Sequence, residues 1–265
     1  MLNALQIAAT GMAAQQLHVE TISNNLANMS TPGFKRSRVD FAALVTQGAE
    51  AGSVDRSTPG LPQGLTGHRS GGVGVSVASV KILFDPGEPK RTDRPHDLMI
   101  DGDGFLEVTM PDSSRAFSRG GSLRLDADGA LLTPGGFPLK PAIFIPQGAQ
   151  SMTIAADGSI SARSSAQGHR VELGQLHLVR FGNASALEPM ADGLYRSNEA
   201  SGDAISGLPG EAGFGTIKQG HVEGGNVRLV DEYVGLMLAQ RAYEASAKVV
   251  QASDEMLAMA NNLRK

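Results

Sequence analysis

The chain has no cysteine and no tryptophan, and only three tyrosines and nine phenylalanines among 265 residues. Without cysteine there is no disulfide framework, no thiolate nucleophile and no thiolate-bound zinc. A cysteine-free chain is also compatible with an oxidising space outside the cytoplasm. Aromatics are 5% of the chain, so a core must be built from small aliphatic side chains. An excess of basic charge is lacking too. The net charge of −4 argues against a nucleic-acid partner, which calls for a basic surface. No run reaches the ~18 consecutive apolar residues of a membrane span, so no direct membrane insertion is expected. The N-terminus shows no basic segment followed by an apolar stretch and a cleavage site, so no cleaved secretory signal is expected.

Catalytic and metal-binding patterns are missing as well. The six histidines (18, 68, 96, 169, 177 and 221) are scattered, without HExxH or other tight metal spacing. Asp101-Gly-Asp103-Gly and Asp126-Ala-Asp128-Gly begin like calcium loops. Phe105 stands where the first needs a further oxygen ligand, and Phe137 where the second needs its closing Glu. Both read as turns. Gly72-Val-Gly74 lacks the third glycine of a dinucleotide fingerprint, and there is no Walker sequence and no GxSxG elbow. Asp231 and Glu232 are adjacent on a helix and point to different faces. No catalytic residue, cofactor or metal is assigned, and the chain is read as a non-enzyme.

What is abundant is glycine, 33 residues, nearly twice the typical share of ~7%, and it is concentrated between two glycine-poor ends. Residues 2–28 and 227–263 each read as one uninterrupted helix. In the first, Leu5, Ala8, Met12, Val19, Ile22 and Leu26 recur at steps of three and four, a heptad stripe that Gln15 interrupts. Ala8, Ala9, Gly11, Ala13 and Ala14 allow another helix to approach closely. Ser30-Thr31-Pro32-Gly33 stops it. The second helix carries two apolar stripes. Leu229, Tyr233, Leu236, Tyr243, Ala247, Val250 and Leu257 form one; Val230, Val234, Met237 and Val249 begin the other. So wide an apolar arc must be covered on more than one side. One cover is the first helix; the other must come from elsewhere.

Residues 46–79 are poor in large apolar groups and read as a linker or extended arm. From about Val80 the pattern turns to strands. Leu106, Val108 and Met110 alternate with Glu107 and Thr109, and residues 171–181 alternate likewise. Asp128-Gly129 and Asp157-Gly158 each separate two short strand-like runs, a hairpin signal because glycine takes the positive φ of primed turns. The reading is α+β: a discontinuous terminal-helix coiled-coil domain (1–33 and 226–265), an extended linker or arm (34–79), and a mainly antiparallel β-rich domain (80–225).

Three motifs carry a resemblance. Ser23, Asn24, Asn25, Leu26, Ala27 and Asn28, running on to Thr31, Pro32, Gly33, Phe34 and Lys35, resemble the N-terminal signature of bacterial flagellar rod and hook axial proteins. Gln219-Gly220 and Val222 to Val227, continuing to Gln240, Arg241, Ala242, Tyr243 and Glu244, resemble that family's C-terminal segment. Asp97 to Phe105 resemble its entry into the β domain. Within the family the distal-rod type fits best, on the arm at 46–79, the Thr133-Pro-Gly-Gly-Phe137 turn, the run Pro141 to Pro146 and the Ser253 to Leu257 ending. The proximal-rod type is the alternative. Two departures stand out: Gly225 to Leu229 replace the family's usual Ser-Asn-Val-Asn-Val, and Lys90 to Arg94 are unusually charged.

The resemblance implies a subunit of the periplasmic rod of the flagellar basal body, polymerising with itself into a helical tube around an export channel. Implied partners are other flagellar rod and hook proteins, the surrounding P- and L-ring bushing, and the flagellar type III export apparatus, through which members leave without a cleaved signal. A heterologous contact that does not close produces such an open filament. The expected assembly interface is Leu5, Met12, Val19, Ile22 and Leu26 on one helix, and Tyr233, Leu236, Tyr243, Val250 and Leu257 on the other. The residues by themselves leave a second class open, a secreted β-rich binding module whose helices only dimerise. A third, a peptidoglycan hydrolase, has no supporting carboxylate or histidine arrangement.

Overall fold

A computed structural model describes residues 2–46, 71–146, 149–164 and 170–262. The central part of the expected arm, 47–70, lies outside the described residues, as do His68 and His169. The chain divides into two compact units, one of residues 1–23, 38–80 and 230–265, the other of residues 24–37 and 81–229.

The first unit contains two long helices, α1 (Leu2–Ala27) and α2 (Leu229–Asn262). They pack on one another and run antiparallel. A Cβ added to Gly235 would meet Ile22 at 3.3 Å, and one added to Gly11 would meet Ser246 Oγ at 3.5 Å. As the α1 position falls by three turns, the α2 position rises by three turns, so the register is fixed. Beside the helices, β1 (Ser37–Thr46) and β2 (Gly71–Ile82) form a two-stranded sheet. Both ends of the stretch read as linker are therefore strand. Gly74 lies against α1 with φ +135°, and a Cβ there would collide with Thr10 Oγ1. Glycine is required at that spot on both counts.

The second unit holds the β body. A seven-stranded sheet runs in the order 188–189, 194–196, 115–118, 105–109, 178–180 and 205–207, with 139–140 also paired to 105–109. Two three-stranded sheets, of 149–154, 159–164 and 170–175 and of 216–219, 97–101 and 120–122, share its larger buried cluster. The pairings within these sheets are antiparallel. Both Asp-Gly signals mark hairpins: Leu125 pairs with Leu131 across Asp128-Gly129, and Ile154 with Ile160 across Asp157-Gly158. The alternating run 171–181 is two strands, not one. Residues 170–175 pair with 159–164, while 178–180 pair with 105–109 and 205–207. Leu176 and Leu178 keep the alternation, both buried in the same cluster. The side-chain period therefore continues while the hydrogen-bond partner changes.

Two apolar clusters fill this unit. The larger is aliphatic, with Leu98, Ile100, Val108, Ile160 and Leu178 fully buried. The smaller gathers Phe105, Phe117, Phe181 and Tyr195, with Phe84 packed against it. Their rings meet edge to face at centroid distances between 4.7 and 6.0 Å, the geometry aromatic quadrupoles favour. Five of the twelve aromatic residues of the chain are thus gathered at one place.

Candidate assembly interface

In the second unit the motifs from three parts of the sequence converge. Lys35, from the N-terminal signature, donates to Glu223 Oε1 at 2.7 Å and to the Asp85 carbonyl at 2.8 Å. Glu223 Oε1 also accepts from the Gly87 amide at 3.0 Å, and its Oε2 lies 3.4 Å from Arg119 Nε. The Arg119 guanidinium donates in addition to the carbonyls of Gly102 and Gly104 and lies over the Phe105 ring. All three charged side chains are almost wholly buried. Burial pushes the Lys35 ammonium below its ordinary range, against the opposing pull of Glu223. One carboxylate therefore serves two cations in a buried site, and backbone carbonyls supply further partners. Burial likewise pushes the Tyr195 phenol up to about 12.

The signature asparagines act as backbone substitutes around this cluster. Asn25 accepts from the Ser37 amide and donates to the Ser37 carbonyl, both at 2.9 Å. Asn226 accepts from the Arg36 amide at 2.7 Å and donates to the Leu83 carbonyl at 2.7 Å. The Gly33 amide donates to the Glu223 carbonyl at 2.7 Å. Gly225 passes so near Met29 that a Cβ would sit 2.8 Å from its carbonyl oxygen. The other signature residues act locally or lie on the surface. Ser23 bonds back to the Val19 carbonyl, and Asn28 to the Asn24 carbonyl and Thr31. Asn24, Ala27, Thr31 and Pro32 are exposed, and Leu26 and Phe34 are half-buried. Within the N-terminal signature, Gly33 and Lys35 thus join the two ends of the chain through Glu223. Arg119 was not singled out by sequence, since no periodicity or spacing marks it.

The helix pair has the opposite character. On α1, Ile22 is buried, while Leu5, Met12 and Val19 are half-buried. On α2 the side turned to α1 consists of Glu232, Leu236, Ala239, Ala242, Ser246, Val250 and Ser253, at steps of three and four. Small residues dominate it. Ser246 and Ser253 return their hydroxyls to the carbonyls of Ala242 and Val249, so neither leaves a bare polar group in the seam. Apart from Leu236 and Val250, the large apolar side chains of α2 point elsewhere. Val230 is 72% exposed, Leu238 62%, Tyr233 53% and Met237 52%. Tyr243 and Leu257 are exposed as well, as are Gln240, Arg241 and Glu244. Of the ten residues expected at the assembly interface, Ile22 is buried and Leu5, Met12, Val19, Leu26, Leu236 and Val250 are half-buried within the chain. Tyr233, Tyr243 and Leu257 face outward.

A chain with one finished β unit and a helix pair that leaves most of its large apolar side chains in water is a building block of a larger structure. Comparison with known proteins gives the family. Residues 5–35 match the model for flagella basal body rod proteins. Residues 99–162 match the D1 domain of flagellar hook proteins FlgE/F/G. Residues 218–263 match the C-terminal model of flagellar basal body rod FlgEFG proteins. The flagellar basal-body rod protein FlgG of Buchnera aphidicola subsp. Acyrthosiphon pisum is 43% identical over 97% of this chain and 98% of its own length. FlgG of Bacillus subtilis is 35% identical over the whole of both chains. The hook-basal body complex protein FlhP of the same organism is 26% identical over the same span. The chain belongs to the flagellar basal-body rod protein family. Its role is structural, in the basal-body rod, and not enzymatic. Among the described residues no helix is long and apolar enough to cross a membrane.

Proposed function

We propose that the chain polymerises with copies of itself as the distal part of the flagellar rod, a tubular drive shaft that carries motor torque through the periplasm to the hook. The observation that carries this is the exposed apolar surface of α2, from Val230 to Met259. Apolar area left in water on a free subunit is area available to neighbours. The higher identity to FlgG than to FlhP of one organism favours the distal type. Its neighbours in this reading are other rod and hook proteins at the two ends, the P- and L-ring bushing around it, and the flagellar type III export apparatus, which passes the chain without a cleaved signal. Of the ten residues from Leu5 to Leu257 named above, Tyr233, Tyr243 and Leu257 meet neighbours directly in this reading, and the other seven, buried or half-buried within the subunit, support the helices that present them.

Leu236→Asp tests the reading. A carboxylate in the half-buried seam should prevent rods from forming and abolish swimming, while the β unit stays folded. Electron microscopy of basal bodies carrying labelled chain should place the label on the distal rod. Label on the proximal rod alone would assign the chain to the other branch, and intact rods in the Leu236→Asp strain would count against the whole scheme.

A further inference from the structure

The first unit contains a groove of about 620 Å³ between the two helices and β2. Ala4, Ile7, Ala8 and Gly11 form one wall, Ala245, Ser246 and Val249 the other, and Gly74 and Val75 close it. No charged residue lines it. Apart from Ile7, Val75 and Val249 the lining side chains are small, which leaves space for large side chains. Three turns away along α2 lie large side chains without a cover. Val230, Tyr233, Val234, Met237 and Leu238 are all exposed. At 100° per residue they fall within an arc of about 140° on the side away from the α1 seam, a partial collar. Between Tyr233 and Leu238 there is again no charge.

We infer that this apolar collar of one copy fills the groove of a second copy. The inference rests on the rod reading and specifies which surfaces meet. One copy cannot satisfy itself. Met237 and Ala245 are eight residues apart on one helix, roughly 12 Å along its axis, so the collar never reaches its own groove. A contact between two different patches is heterologous, so each added copy presents a new groove and a new collar. Uncharged knobs meet an uncharged hole, and no buried charge is left unpaired. The contact grows an open filament instead of closing a dimer.

The absence of cysteine makes the test direct. Full-length chain carrying Met237→Cys and Ala245→Cys replaces the parent in cells, and purified basal bodies are oxidised with copper phenanthroline. Two cysteines roughly 12 Å apart on a helix cannot pair within one chain, because a disulfide needs Cα atoms within about 7 Å. The expected result is a ladder of dimers, trimers and longer species, with neither single variant giving a ladder. A second pair, Val234→Cys with Val249→Cys, reads the same contact should the first impair assembly. Rods that contain either double variant and yield only monomer overturn the inference while leaving the rod reading intact. Dimers from a single variant, or cross-links to a different rod protein, overturn it too. Basal bodies that lack even the tagged parent chain would sink the rod reading itself.

Discussion

The two units of this chain spend their apolar residues in opposite ways. Among the described residues, the β unit holds nearly all of the buried apolar side chains; the helix unit contributes only Ala8, Ala14, Ile22, Val39 and Ala239. The exposed large apolar residues are distributed the other way. Only Leu125, Phe144, Val171, Ile205 and Leu229 belong to the β unit, against fifteen in the helix unit. One unit is complete as a single molecule. In the reading proposed above, the other is a surface that neighbouring copies complete, and burial against them offsets the entropy lost on assembly.

The comparison can be broken first in the β unit. Glu223→Gln leaves Lys35 and Arg119 buried without their shared carboxylate. It should destabilise the unit by about 3–5 kcal/mol, the cost of breaking a buried pair, measured by urea unfolding followed through the aromatic signal. A destabilisation below about 1 kcal/mol, the range of an exposed pair, would mean that the site is wet.

Alkaline pH gives a second handle. The Tyr195 phenol is raised from 10.0 to about 12 in the folded chain. Between those values the unfolded chain has lost a proton that the folded chain keeps, so stability falls as pH rises from 10 and levels off above about 12. At 1.36 kcal/mol per unit the loss is roughly 2–3 kcal/mol. Lys35, lowered by burial, acts with the opposite sign below its ordinary 10.5. The difference between the parent and Tyr195→Phe removes that contribution. The variant should lack the alkaline loss; equal pH profiles would contradict the burial of the phenol.

Ala239→Leu probes the helix unit alone. Ala239 is 2% exposed in the seam, and overpacking there should cost about 1–3 kcal/mol. Helical circular dichroism should be lost at lower temperature while the aromatic signal of the β unit melts as before. A single shared transition, shifted as a whole, would show that the two units are not energetically separate.

Sequence and structure agree where one physical signal decides the outcome. Helix limits of 2–28 and 227–263 compare with Leu2–Ala27 and Leu229–Asn262, because Thr31-Pro32-Gly33 and the glycines at 224–225 punctuate the chain. Asp128-Gly129 and Asp157-Gly158 dictate their turns locally. The phase of α2 was not legible. A helix apolar on several sides does not reveal which side its own partner takes. The seam went to Ala239, Ser246 and Ser253, which let the backbones approach, and not to Tyr233, Tyr243 and Leu257. The buried Lys35–Glu223–Arg119 cluster was hidden for a different reason. It joins residues 188 apart in sequence, and charge burial has no periodicity to read. The N-terminal and C-terminal signatures drew attention to Lys35 and Glu223 as parts of motifs, without their pairing.

The smallest expected effect on folding is also the most telling. Met237 is 52% exposed in the free chain, so Met237→Asp should change monomer stability by no more than about 0.5 kcal/mol. In cells it should leave basal bodies without a complete rod and swimming absent in soft agar. A variant that melts like the parent and swims like the parent would show that the outward face of α2 meets nothing, and that the helix pair is not half of an interface.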